Sequence, residues 1–215
     1  MPGFYTHVKA AREALQGQIR SELMPYALAG AAFPDYFYFD DNNSTISDTI
    51  HKKNDKIPAA LYKNASTLDE KAFALGAETH LLLDDLMHPT IDSIAGSMNH
   101  PYIDYLVSLV SRKEGAKSES VKRLLDNIAN YQQSQAVHHL RLESGLDCVL
   151  LYEEKSLGRT KTSLPESTDF MVEALGAYGI NVSGKDIDNA YSLLLHNSGK
   201  VRDANRFFGF GEVSD

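Results

Sequence analysis

The stretch Thr67-Leu-Asp-Glu70-Lys-Ala-Phe-Ala-Leu-Gly-Ala-Glu-Thr-His80-Leu-Leu-Leu-Asp84-Asp-Leu-Met-His88-Pro89 decides the fold. Thr67 and Glu70 have the spacing of a capping box, in which each side chain satisfies the other's backbone N–H; Ser66 is the alternative cap. The residues beyond are apolar through much of the run. This predicts a buried central helix over residues 68–87, ending near His88 and Pro89 because proline lacks the N–H a helix interior needs. His80 and Asp84 then lie at i and i+4 on one face. His88, at i+8, drifts from that face by about 40°. Burying an imidazole and a carboxylate in so apolar a helix is costly unless each has a partner. A metal ion supplies one and a mutual hydrogen bond supplies another, and spacing alone leaves both open.

The rest of the chain is helical in period. Residues 5–23 predict an amphipathic helix, with Val8, Leu15 and Ile19 among its apolar positions and Pro25 ending it. Residues 27–32 are small and apolar. Pro34 and Asp35 turn into an aromatic run over residues 36–39, the one short stretch with strand character. Residues 40–44 read as a loop, and residues 45–53 as loop or short helix. Helices are expected over residues 101–112 and, as one or two elements, over 121–154, separated by a polar break. Residues 158–165 form a linker. A helix over 166–175 exits at Gly176 and Gly179, and Ser183 caps a last one over 185–196. The tail from Gly199 is rich in Gly, Asn and Asp, with Phe207, Phe208 and Phe210 placed to pack back on the core. No internal repeat is present.

With 215 residues and a hydrophobic fraction of 43%, one globular domain with a sizeable core is expected, with two small lobes as the alternative. The net charge of −8 and the lack of any Lys/Arg cluster argue against electrostatic binding to nucleic acid or anionic lipid. Cys148 is the single cysteine, which excludes an intrachain disulfide and a thiolate zinc site; it reads as a small buried hydrophobe. The start carries no basic, then apolar, leader, and no run approaches the roughly 18 apolar residues of a membrane span. A soluble, cytoplasmic protein is the expectation.

His139 and Glu143 repeat the i, i+4 couplet of His80 and Asp84. An exposed helix pair accounts for that spacing as well. His138 points about 100° away, and His100/Asp104 has the same spacing as a competing pair. His7, Asp35 and His51 lie upstream. Without thiolates, imidazole and carboxylate donors suit zinc, although spacing does not name the metal. Two metals about 3.5–4 Å apart can orient and deprotonate water and neutralise phosphoryl charge, the chemistry of phosphodiester hydrolysis. His196 reads as a helix C-terminal dipole partner. Tyr36, Tyr38 and Phe39 suit core packing, with pocket lining as the alternative.

These motifs together resemble the bacterial zinc-dependent phospholipase C family, which shares its all-helical fold with the P1/S1-type nucleases. The resemblance rests on Phe4-Tyr5-Thr6-His7, Gly30-Ala31-Ala32-Phe33-Pro34-Asp35, Asp48-Thr49-Ile50-His51, His80-Leu-Leu-Leu-Asp84 with His88-Pro89, and His139-Leu-Arg-Leu-Glu143-Ser-Gly-Leu-Asp147. It spans residues 2–154 in ordered, scattered pieces. It implies an all-α, single-domain multi-helix bundle over residues 1–215 and a trinuclear zinc site. Asp35, His51, His80 and Asp84 would hold the first zinc. Asp84 would bridge to a second, held by His7 and the amino-terminal residue. His88, His139 and Glu143 would hold the third, and Asp35 could also serve as general base.

Secreted members of that family use the freed amine of a terminal Trp. This chain has no Trp, and removal of Met1 would free Pro2 instead. The resulting expectation is a phosphoric ester hydrolase with two or three zinc ions, or another divalent transition metal, acting through metal-activated water. Its substrate would be a phospholipid head group or another small phosphoester. A soluble nucleotide-like phosphoester, or a metal-stabilised interaction protein without turnover, are the alternatives. No stable nucleic-acid complex is expected.

Overall fold

The computed structural model describes residues 3–40, 43–53, 55–97 and 160–207 (backbone only over 95–97 and 199–207), together with Glu143, Leu146, Asp147 and Leu150. Pro2, His100, Asp104, His138, His139 and Cys148 fall outside these residues. So do the expected helix over 101–112, all but those four positions of the stretch 121–154, and the tail beyond Phe207. The chain divides into two compact units, Met1–Leu86 with Glu143–Asp215, and Met87–Leu142.

The described elements are α1 (Phe4–Leu15), α2 (Met24–Ala32), α3 (Ser44–His51), α4 (Ile57–Asn64), α5 (Leu68–Ser97), α6 (Asp169–Gly176) and α7 (Gly184–Phe207), with 3-10 turns at Ser21–Leu23 and Phe33–Phe39. Among the described residues there is no strand, only an isolated bridge between Gln16 and Ile19. The all-helical expectation holds.

Several boundaries differ from the sequence reading. α1 stops at Leu15 because Gly17 takes a left-handed φ of 78°, which reverses the chain before Ile19. Pro25 therefore does not end a helix. It sits in the first turn of α2, where its missing N–H costs nothing. The aromatic run is not a strand but part of a 3-10 segment. Its period of three stacks Phe33 and Tyr36 on one side, and both are buried completely. Residues 44–51 settle as a helix, α3. The helix α4 was not foreseen, and Pro58 opens it. α5 continues through Pro89 to Ser97, with Ile91 buried beyond the proline, so apolar burial sustains the helix past one lost hydrogen bond. α7 begins at its Ser183 cap but runs to Phe207, leaving His196 exposed within the helix rather than at its end.

The capping box at the start of α5 forms as read. Glu70 accepts hydrogen bonds from the Ser66 and Thr67 N–H groups at 2.6 and 3.0 Å, while its own N–H reaches Thr67 Oγ1 at 3.4 Å.

The core of the first unit gathers Phe33, Tyr36, Phe37, Ile50, Ile57, Leu61, Phe73, Phe170, Met171, Leu175, Ile187 and Leu194. Its rings meet edge to face, as Phe33 does with Tyr36 and Phe73. A smaller cluster of Val8, Ala11, Leu28 and Ala31 joins α1 to α2. α2 and α5 approach backbone to backbone. A Cβ on Gly30 would stand 1.9 Å from the Phe73 carbonyl oxygen, and one on Gly76 would stand 1.8 Å from that of Ala27. Only glycine at both positions lets the two backbones touch.

Candidate metal centre

The Gly30/Gly76 crossing brings His80, one turn beyond Gly76, against the end of α2. His80 Nδ1 donates to the Ala31 carbonyl at 2.6 Å. His51, at the last turn of α3, donates from Nδ1 to the Ser47 carbonyl at 2.7 Å. A carbonyl oxygen only accepts, so both imidazoles carry their hydrogen on Nδ1 and turn Nε2 inward. Asp35 is carried into the interior by its buried neighbours Phe33, Pro34, Tyr36 and Phe37, and is itself 1% exposed. His7 lies on the buried face of α1, its ring stacked on that of His80 at 3.6 Å.

These side chains converge. His51 Nε2 lies 3.3 Å from His80 Nε2, 3.1 Å from Asp84 Oδ2 and 3.3 Å from Asp35 Oδ1. His80 Nε2 lies 3.2 Å from Asp84 Oδ2 and 3.6 Å from Asp35 Oδ2. The other Asp84 oxygen, Oδ1, faces His7 Nε2 at 3.3 Å. Ligand atoms around a tetrahedral ion with bonds of about 2.0–2.1 Å stand about 3.3 Å apart. The observed separations cluster at that value. Two groups can hold a metal ion, His7/Asp35/His80 and His51/His80/Asp84. Neither buried oxygen of Asp35 has a hydrogen-bond partner among the described residues. Its nearest donors are the ring nitrogens of His51 and His80 at 3.3 and 3.6 Å, and a buried carboxylate short of hydrogen bonds costs upwards of about 1 kcal/mol, which a cation would offset. The residues present therefore fit a metal, and a set without thiolates fits zinc.

Electrostatics agree with that fit. Burial works to lower the His51 pKa, but Asp35 and Asp84 outweigh it and hold it at about 11. His80 is likewise raised by Asp35 and Asp84 against its burial. Burial works to raise Asp84, yet the hydrogen bonds from His51 and His80 hold it well below the usual carboxylate range. Burial lifts Asp35 above its ordinary value, against the attraction of His80 and His51. Without a cation, protons on the imidazoles balance the carboxylates, and a metal would take their place.

The structure thus brings together His7, Asp35, His51, His80 and Asp84. Glu143 is buried, a helical turn before Asp147, and joins neither group. His88 is half-buried on the part of α5 counted with the second unit. Of the aromatics after Asp35, Tyr36 and Phe37 serve the core. Tyr38 is half-buried beside His51, ring centres 5.8 Å apart, and donates to Asp48 Oδ1 at 2.9 Å. The Ala31 and Ser47 carbonyls, which orient the imidazoles, leave no mark in a sequence because every residue has one. Asp147 appeared only as the end of a motif, without a role.

Buried imidazole and carboxylate donors on an all-helical scaffold, more numerous than one structural zinc uses, define a metal-dependent hydrolase. Their order along the chain matches one family. The chain belongs to the zinc-dependent phospholipase C family, whose model matches residues 6–183. The match takes in every motif from His7 to Asp147. It extends past residue 154, where the legible motifs end, and leaves Pro2 outside. No curated protein and no solved structure matches the chain significantly. Family and centre together make it a zinc-dependent phosphodiester hydrolase. Among the described residues no helix is long and apolar enough to cross a membrane.

Proposed function

We propose that Asp35, His51, His80 and Asp84 would hold one zinc ion, that His7 and Asp84 would hold a second, and that the reaction is hydrolysis of a phosphodiester bearing a small head group. When bound, zinc supplies a Lewis acid that neutralises phosphoryl charge and lowers the pKa of water. The observation that carries the reading is the convergence of His51 Nε2, His80 Nε2 and Asp84 Oδ2 within 3.1–3.3 Å of one another. Pinning both Nδ1 atoms on carbonyls fixes the tautomer and aims the Nε2 lone pairs at one point. Asp35 is buried beside both imidazoles, and the family resemblance supports its carboxylate as the group that would take the proton from the attacking water.

The family resemblance supports a third zinc through His88, His139 and Glu143, and the Pro2 amine as a ligand beside His7. The net charge of −8, without any basic cluster, supports a small phosphodiester as substrate rather than nucleic acid or an anionic bilayer.

Elemental analysis of protein with its native amino terminus tests this first, followed by hydrolysis of a soluble aryl phosphodiester and a short-chain phospholipid. Two or three zinc ions per chain and turnover abolished by Asp84→Asn are expected. A protein that stays metal-free after reconstitution, or hydrolyses equally well in chelator, would overturn the reading.

A further inference from the structure

The start of α1 has no local cap. Its N-cap position is Gly3, which has no side chain to offer, and its first turn holds no acidic residue. Two of the orphan N–H groups of that turn are satisfied from far along the chain. Asp147 Oδ2 accepts from the Tyr5 N–H at 3.1 Å, and Asp147 Oδ1 accepts from the Thr6 N–H and the Thr6 hydroxyl, each at 2.8 Å. Tyr5 and Thr6 are the second and third residues of the helix, the positions an ordinary N-cap side chain serves. Asp147 is 4% exposed, and Gly3 leaves it room: a Cβ there would stand 2.9 Å from its Oδ1. The carboxylate also faces the positive end of the helix dipole.

The next residue after Thr6 is His7, whose Nε2 meets Asp84 Oδ1 at 3.3 Å. Asp147 lies one turn after Glu143 on the same helical face, close enough for the two carboxylates to repel. One buried side chain thus ties the helix start that carries His7 to the segment that carries Glu143.

We propose that Asp147 is a positioning residue of the metal centre, a remote cap that holds the first turn of α1 so that His7 completes the second metal position with Asp84. This rests on the proposed assignment of His7 and Asp84 to that position. Asp147 does not touch the metal or the substrate. Its effect passes through the Tyr5 and Thr6 amides to the His7 ring.

The test is competition titration of zinc against a chromophoric chelator with the full-length chain, comparing Asp147→Asn, Thr6→Val, His7→Ala and the double variant Asp147→Asn/His7→Ala. An asparagine keeps the shape but presents one N–H-bearing end to a backbone donor. Second-sphere losses of this kind weaken metal affinity about 10- to 100-fold. That drop is expected for one zinc in Asp147→Asn, with the tighter zinc retained. Thr6→Val, losing one of the three bonds, should show a smaller drop in the same zinc. Adding Asp147→Asn to His7→Ala should cost no further affinity. Unchanged affinity in both Asp147→Asn and Thr6→Val would overturn the proposal, as would equal weakening of every zinc or additive losses in the double variant. Failure of the underlying reading looks different: the wild-type chain would then bind fewer than two zinc ions, or His7→Ala would bind them all normally.

Discussion

His80 Nδ1 donates a 2.6 Å hydrogen bond to the carbonyl of Ala31, across a crossing where Gly30 and Gly76 bring α2 and α5 into backbone contact. The bond does two things. It satisfies a buried nitrogen in an apolar helix, and it leaves Nε2 as the atom that meets Asp35 and Asp84. The helix packing and the metal chemistry therefore depend on the same two glycines.

Gly76→Ala is expected to lower both stability and zinc affinity. The added methyl would collide with the Ala27 carbonyl, which is backbone and cannot swing aside. Overpacking of this kind costs about 1–3 kcal/mol or more. The helices must separate, so His80 should lose its hold on Ala31. Thermal denaturation and zinc titration check this together, and a variant with wild-type values in both would contradict it.

His51→Ala is expected to abolish hydrolysis and weaken zinc binding by at least about 100-fold, since it removes a donor and leaves Asp35 and Asp84 facing each other without it. The matching measurement is zinc per chain after dialysis, alongside turnover of a soluble phosphodiester. Full zinc retention would remove His51 from the ligand set.

The metal-free protein should lose stability as the pH rises. His51 titrates at about 11 in the folded chain against an ordinary value of 6.5. A pKa raised by folding contributes stability that is fully present below 6.5 and is lost as the pH climbs through about 11. Asp147, lifted by burial to about 6, titrates below that window. Melting temperatures of chelator-treated protein should therefore fall from neutral into alkaline pH. Zinc-loaded protein should show a flatter profile, because the Nε2 protons have already left. A metal-free melting temperature that held constant or rose over that range would refute the coupling.

Glu70→Ala provides the contrast. Glu70 caps α5 through Ser66 and Thr67 and makes no contact with the centre. Its loss should cost about 0.5–2 kcal/mol and leave zinc content unchanged. A drop in zinc content would mean that the helix start and the metal centre are more tightly linked than this geometry shows.

Helical class, the α5 cap and the His80/Asp84 couplet were all legible in the chain, because each depends on residues within a turn or two of one another. So was the family, since its motifs keep their order. Boundaries were less legible. Pro25 and Pro89 both read as stops, yet one opens α2 and the other lies inside α5. A proline states only that one N–H is missing, and the packing around it decides whether the helix tolerates that loss.

By itself, the sequence determined which donors exist and that the His80/Asp84 pair would share a helix face, since a period of 3.6 residues is a local property. Only the tertiary structure decided that His7, Asp35 and His51 meet that pair, because they arrive on three other segments. It also decided that Ala31 and Ser47 would orient the imidazoles through carbonyls common to every residue, and that Asp147 would cap α1 from 142 residues away in the chain. Contacts of that kind form when the core closes, and no spacing along the chain records them.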